Sequence, residues 1–144
     1  MPQEGNRMGC GTCGQSLPPA ETFWEMVLEL EPPSQNKVAS NKGAGRHQYR
    51  EIRNRYELMF KLQRNRLKIP RAKGRRRVFI KRLYSGRGQE RDHGNIIGGC
   101  KPLLDAMTLA GLLVDDKREF VEDHYSQEKV KDLSGVYIRI EEME

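Results

Sequence analysis

Residues 91–116, RDHGNIIGGCKPLLDAMTLAGLLVDD, contain the pattern that decides how this chain folds. Their apolar side chains recur at helical spacing, which is typical of a helix that buries one face. These apolar positions are Ile96, Ile97, Cys100, Leu103, Leu104, Met107 and Ala110. Because proline has no N–H to donate, Pro102 predicts that the helix either begins near Lys101 or is kinked there. Gly111 is suited to the C-terminal cap, so the helix is predicted to end before the paired aspartates.

Stretches with the pattern of β-strands lie on both sides of this segment. Residues 78–84 are rich in β-branched and aromatic side chains and predict one strand. Residues 23–31 and 136–141 alternate apolar and polar side chains, the period of two that a half-buried strand shows. Residues 120–125 predict a further strand. Because strands and helices do not alternate strictly, we predict an α+β fold with a mixed or antiparallel sheet.

A second long helix is predicted between the first two strands. Its apolar positions are Tyr49, Ile52, Tyr56, Met59, Phe60 and Leu67, and Pro70 ends the pattern. Both tyrosines are expected to face the core. At 144 residues the chain has the size of one domain. We therefore predict one domain over residues 21–144, its sheet packed by two main helices, after a flexible Gly- and Pro-rich arm over residues 1–20.

The charge of the chain is unevenly distributed. The net charge is +6; between positions 46 and 77 thirteen Lys and Arg stand against two acids, whereas acids outnumber bases ten to five from position 115 onward. A basic stretch set apart from an acidic one favours a polyanionic partner, because each phosphate neutralised by a cation releases condensed counterions. Nucleic acid is the first candidate, and a solvated helix face that simply carries arginines is the alternative.

The hydropathy and the cysteines bear on the compartment. The chain contains no apolar run of about 18 residues and no signal-peptide core, so we expect a cytoplasmic protein with no membrane partner. Three cysteines argue against a disulfide framework. Cys10 and Cys13 have the spacing of half a zinc site, but a structural Zn²⁺ needs two further ligands. We expect free thiols; two arms of a dimer that share one Zn²⁺ are the alternative.

Candidate metal ligands lie at the two ends of the central segment. Phosphodiester hydrolysis needs a divalent cation, and Mg²⁺ takes oxygen ligands. Asp92 precedes the predicted helix, and Asp115 and Asp116 follow it. They could meet only if the chain doubles back. Ordinary turn or cap chemistry is the alternative for adjacent aspartates.

The same segment resembles the signature of the RusA-type Holliday junction resolvases. That signature has an Asp-x-Asp-Asn element, a lysine, a Leu-Asp-Ala-Leu-like run, a glycine and a paired Asp-Asp, in that order. The matching positions are Asp92, Asn95, Lys101, residues 104–107, Gly111, Asp115 and Asp116. Residues 32–36, PPSQN, are similar to the family's Pro-Pro-Ser-x-Asn loop, and the last strand matches in place. The likeness therefore covers residues 23–142.

The resemblance implies a homodimer, encoded by a bacterium or a phage, that resolves four-way DNA junctions in recombination and repair with Mg²⁺, or with Mn²⁺ in its place. It implies that Asp92, Asp115 and Asp116 are catalytic residues and metal ligands. It implies that Lys101 is a further catalytic residue, which steadies a phosphate or the charge of the transition state. The residues expected to bind the DNA backbone are Arg46, Arg50, Arg53, Arg75, Arg76, Arg77 and Lys101.

Gly94 departs from the family pattern, because the second aspartate of the Asp-x-Asp-Asn element would stand there. His93 and Glu90 are the nearest substitutes. We expect Asn95 to cap the helix, with orientation of Asp92 as the alternative, and Asp105 to belong to the structural pattern of the helix and not to the metal site. Three functions remain open: a structure-selective endonuclease, a branched-DNA-binding relative with weakened or no activity, and a basic RNA-binding protein.

Overall fold

The structure is a computed structural model that describes residues 22–35 and 44–143. Its elements in chain order are β1 (Phe23–Leu28), α1 (Ala44–Leu67), β2 (Arg76–Tyr84), α2 (His93–Gly99), α3 (Lys101–Leu109), β3 (Val121–Lys129) and β4 (Gly135–Glu142). The arm predicted over residues 1–20, with Cys10 and Cys13, lies outside the described residues. The prediction of one small α+β domain is confirmed.

The four strands form one mixed sheet in the order β1-β4-β2-β3. β4 is antiparallel to both β1 and β2, whereas β2 and β3 are parallel neighbours. Parallel neighbours require a crossover that carries the chain back along the sheet. The central segment supplies it, so α2 and α3 connect β2 to β3 as a pair.

The core lies between the helices and one face of the sheet. Met26, Ile138 and Ile80 are cross-strand partners from three strands, and all are buried. From α1, Tyr56 and Phe60 are fully buried and their rings stack. The side chains that α3 contributes include Leu103, Ala106 and Met107. The prediction that Tyr56 faces the core is confirmed.

The helix predicted around Pro102 is divided into two. α2 ends at Gly99 and α3 begins at Lys101, so the proline stands in the first turn, where its missing N–H costs no hydrogen bond. After α3, Gly111 has a φ of +84°. Its N–H donates to Thr108 O at 3.1 Å, and the N–H of residue 112 donates to Met107 O at 2.9 Å. These two bonds form a Schellman motif, which confirms the predicted cap.

The loop after β1 packs directly against α2. A Cβ built at Gly99 would overlap the carbonyl oxygen of Pro33, so only glycine permits this approach. At Gly98, a Cβ would crowd the Gln35 side chain. The Gln35 N–H donates to Asn95 Oδ1 at 2.8 Å. The glycine pair therefore lets the Pro-Pro-Ser loop hold the start of the crossover in place.

Candidate functional site

The crossover places the predicted site residues at different points along its length. Asp92 stands immediately before α2, and Lys101 is the exposed first residue of α3. Asp115 and Asp116 lie in the loop between α3 and β3. The local surroundings of each residue decide which chemistry is available to it.

Asp92 is the N-cap of α2. Its backbone is extended (φ −67°, ψ 159°), and its Oδ1 accepts a hydrogen bond from the Asn95 N–H at 2.8 Å. This bond satisfies one of the free amides at the helix start. The prediction that Asn95 caps the helix is wrong, because Asn95 supplies the amide and its side chain instead holds the loop after β1.

Asp92 also lines an open pocket of about 490 Å³ between the start of the crossover and β3. Glu90 and His93 line the same pocket, opposite Tyr125 and Gln127. The Nε2 atom of His93 is buried and has no hydrogen-bond partner among the described residues. Both predicted substitutes for the missing carboxylate thus stand beside Asp92; compensation by either one stays a prediction.

Gly94 leaves room for a side chain. A Cβ built there would have Asp92 Oδ1 as its nearest neighbour at 3.5 Å, an ordinary van der Waals distance, and the residue is exposed. Its φ lies outside the left-handed region. A Cβ can therefore be added at position 94 without a steric conflict.

Asp115 and Asp116 form a close carboxyl pair. The Asp116 N–H donates to Asp115 Oδ1 at 2.6 Å. A hydrogen bond between the two side chains lowers the pKa of Asp115 and raises the pKa of Asp116. Like charges on neighbouring carboxyl groups repel each other, and a proton or a cation between them relieves that repulsion. The pair thus has the oxygen donors and the excess negative charge that attract a divalent cation.

Tyr49 and Asp105 adjoin this pair and connect α1 to α3. The Tyr49 hydroxyl donates to Asp105 Oδ2. Burial, then the bond to Asp105, raises the pKa of Tyr49, and the charge of Asp116 adds to the effect. The Asp105 charge also helps to raise the pKa of Asp116. The sequence predicted only a structural role for Asp105 in the helix. Its contact with Tyr49 could have been expected, because a half-buried tyrosine needs a hydrogen-bond partner for its hydroxyl.

Replacing Tyr49 with phenylalanine removes this connection and leaves the Asp105 carboxylate without its donor. We expect the free energy of unfolding to fall by about 1–2 kcal/mol, the lower part of the range for hydrogen bonds to a charged group, because both side chains are only half-buried. Urea unfolding would measure the loss. The matched control is Tyr84→Phe, because no hydrogen bond of the Tyr84 hydroxyl is found among the described residues; equal losses in both variants would contradict the assignment.

Two of the arginines predicted to bind DNA are structural. The Arg76 side chain is 1% exposed and pairs with Glu142 at 3.0 Å. The Arg77 side chain is 14% exposed and pairs with Glu122 and Glu141. The predictions for Arg76 and Arg77 are corrected, because β2 begins at Arg76 and places both guanidinium groups against acids of the neighbouring strands. The acidic residues at the end of the last strand could have predicted these ion pairs.

The other predicted arginines are differently placed. Arg46 and Arg50 are exposed on α1, whereas Arg53 is half-buried there and donates to Asn54 Oδ1 at 3.4 Å. Arg75 precedes β2 and is exposed, and its Nε donates to Arg118 O at 3.1 Å. DNA binding by these four residues stays a prediction.

The described residues do not assemble the three predicted metal ligands. Within residues 22–35 and 44–143, no three His, Cys, Asp or Glu side chains converge into a group that could hold a metal ion. Asp92 thus does not join Asp115 and Asp116 in such a group. The pair fits Mg²⁺ by donor type but supplies only part of a site. Burial raises the pKa of the Cys100 thiol to about 12, which excludes it as a reactive thiolate at neutral pH.

Comparison with known proteins leaves the family open: no protein-family model matches the chain, and no curated protein matches it. In the part of the chain that the structure describes, no helix has the length and apolar character needed to span a bilayer. The geometry of the site is therefore the basis for a functional proposal.

Proposed function

We propose that this protein is a structure-selective DNA endonuclease of the RusA type, acting as a homodimer on four-way junctions, whose metal site is weakened by Gly94. The observation that carries the proposal is the close Asp115–Asp116 carboxyl pair, at the end of a crossover whose sequence resembles the RusA signature.

The chain's own residues suit phosphodiester chemistry at this pair. Tyr49 and Asp105 hold α1 against α3 next to Asp116, so the basic helix lies beside the carboxyl groups. Exposed Arg46 and Arg50 on that helix would neutralise backbone phosphates. Lys101 is exposed and would bind a phosphate as a point charge.

Asp115 and Asp116 would supply the oxygen ligands for Mg²⁺ or Mn²⁺, while Asp92 lies outside their group among the described residues. The ion would polarise the scissile phosphate and activate water. Protons compete with a metal ion for these carboxyl groups, and the raised pKa of Asp116 strengthens that competition, so the pair would bind the metal more tightly as the pH rises.

A branched-DNA-binding protein without nuclease activity is the second candidate. Two observations favour it. Gly94 supplies no carboxylate, and Asp92 has one oxygen committed to the cap of α2. On this alternative, the fold and the basic surface would be retained while the metal site is lost.

Cleavage of a labelled four-way junction distinguishes the two candidates. We expect slow cutting by the native chain with Mg²⁺ or Mn²⁺, and at least a hundredfold loss in Asp116→Asn. Gly94→Asp should raise the rate, because it supplies the second aspartate of the resembled signature at a position where an added Cβ makes only an ordinary van der Waals contact. The matched control is Gly94→Asn, which adds the same bulk without the charge.

Each outcome decides between the candidates. Binding without cutting by the native chain, with cutting restored by Gly94→Asp, would establish the inactive relative. Cutting that survives Asp116→Asn would overturn the proposed role of the carboxyl pair. Preference for structured RNA over the junction would overturn both candidates.

A further inference from the structure

Two loops that are distant in sequence form one surface beside the carboxyl pair. Residues 68–75 connect α1 to β2, and residues 110–120 connect α3 to β3. The Ala72 N–H donates to Gly111 O at 2.9 Å, and the Arg76 N–H donates to Phe120 O at 3.0 Å. Arg75 Nε donates to the carbonyl oxygen of Arg118 at 3.1 Å. Three bonds to main-chain carbonyls therefore fix the two loops side by side.

Exposed cations gather on this surface, which we call the two-loop surface. Its members are Arg71, Lys73, Arg75, Lys117 and Arg118. Among the described residues, none of the five side chains forms an ion pair with an acid. The arginines inside the sheet differ, because Arg76, Arg77 and Arg82 are paired with glutamates. The two-loop surface thus keeps its positive charges available to an external anion.

The placement of two of these cations links the surface to the carboxyl pair. Lys117 lies near enough to help lower the pKa of Asp115. The guanidinium of Arg71 packs over Gly111, where a Cβ would lie 3.1 Å from Arg71 Cζ. That position is the C-terminus of α3, where a cation is favoured by the helix dipole. One cation from each loop therefore lies on or beside the segment that leads from the end of α3 to the carboxyl pair.

We propose that the two-loop surface binds a DNA phosphate backbone and brings it to Asp115 and Asp116. The inference rests on the proposed function, since the backbone belongs to one arm of the branched substrate. It assigns backbone contacts to the loop cations Arg71, Lys73, Lys117 and Arg118. A polyanion suits the surface because each phosphate that one of these cations neutralises releases condensed counterions from the DNA.

The test is the salt dependence of junction binding, measured by fluorescence anisotropy in EDTA so that cutting does not interfere. The variants are Lys117→Gln/Arg118→Gln and Arg71→Gln/Lys73→Gln. The control is Lys129→Gln/Lys131→Gln, which removes two exposed cations at the end of β3. The slope of log K against log[salt] should fall by about two in each two-loop variant, one unit per lost phosphate contact, and stay unchanged in the control.

The outcomes separate this inference from the proposed function. Unchanged slopes in both two-loop variants, or an equal change in the control, would overturn the two-loop surface whether or not the native chain cuts junctions. Reduced slopes in a protein that binds but never cuts would support the surface and overturn the nuclease. Failure of the native chain to bind any junction would overturn both. Urea unfolding of each variant checks that the fold is retained.

Discussion

Arg76→Ala is expected to lower the free energy of unfolding by roughly 3–5 kcal/mol, because it removes a large side chain that is 1% exposed together with its hydrogen bonds to main-chain carbonyls. The guanidinium contacts Glu142 through Nε and Nη2 and also donates to two main-chain carbonyls, Leu112 O and Pro70 O, each at 2.9 Å. Its planar face lies 5.1 Å from the centroid of the Trp24 ring. Alanine would leave two carbonyl oxygens without their donor and would open a cavity.

The control for this prediction is Arg75→Ala, one position earlier in the same arginine run. Arg75 is exposed and makes one hydrogen bond, so its removal should cost less than about 1 kcal/mol. Urea unfolding with a common m-value would compare the two variants. Similar losses of unfolding free energy in the two variants would show that the contacts of Arg76 do not stabilise the fold as proposed.

Gly99→Ala is expected to destabilise the fold by roughly 3 kcal/mol or more, at or beyond the upper end of ordinary overpacking. The added methyl group would overlap the Pro33 carbonyl oxygen. Neither partner can move aside cheaply, because both belong to the main chain and Gly99 is in the last turn of α2. The loop after β1 would have to move away from the crossover, and the Gln35–Asn95 hydrogen bond would be lost with it.

Gly94→Ala is the matched control in the same helix. A Cβ at this position meets only Asp92 Oδ1, at an ordinary van der Waals distance of 3.5 Å, and alanine has the higher helix propensity, so the variant should be as stable as the native chain or more stable by up to about 1 kcal/mol. Thermal unfolding followed by circular dichroism would compare the two variants. If both lowered the melting temperature equally, the effect would belong to glycine flexibility in α2 and not to the contact with Pro33.

Gly99 and Arg76 both hold segments next to the candidate site in position. Gly99 lets the loop after β1 fix the start of the crossover near Asp92. Arg76 ties the loop before β2 to residue 112, just before the carboxyl pair. Variants at either position should therefore reduce any DNA activity through stability, whereas Asp116→Asn should reduce it with the fold intact.

What the sequence determined by itself was local. Proline at position 102 and glycine at position 111 fixed the break between α2 and α3 and the end of α3, because a missing N–H and a left-handed backbone act within one helical turn. The alternation of apolar and polar side chains along residues 136–141 predicted β4, because this period is also a property of neighbouring residues. These patterns also sufficed for the α+β class and for the helix up to Leu67.

The tertiary structure decided which charged side chains are buried in ion pairs and which are exposed to an external ligand. Arg76 reads in sequence as one more exposed cation, yet its partners lie 36 and 66 positions away and enclose it. In the sequence, Lys117 and Arg118 belong to an acidic region, yet the pairing of the two loops places Arg118 against Arg75. A local pattern carries no information about such partners, because ion pairs and charged surfaces are made by residues that only the sheet and its crossover bring together.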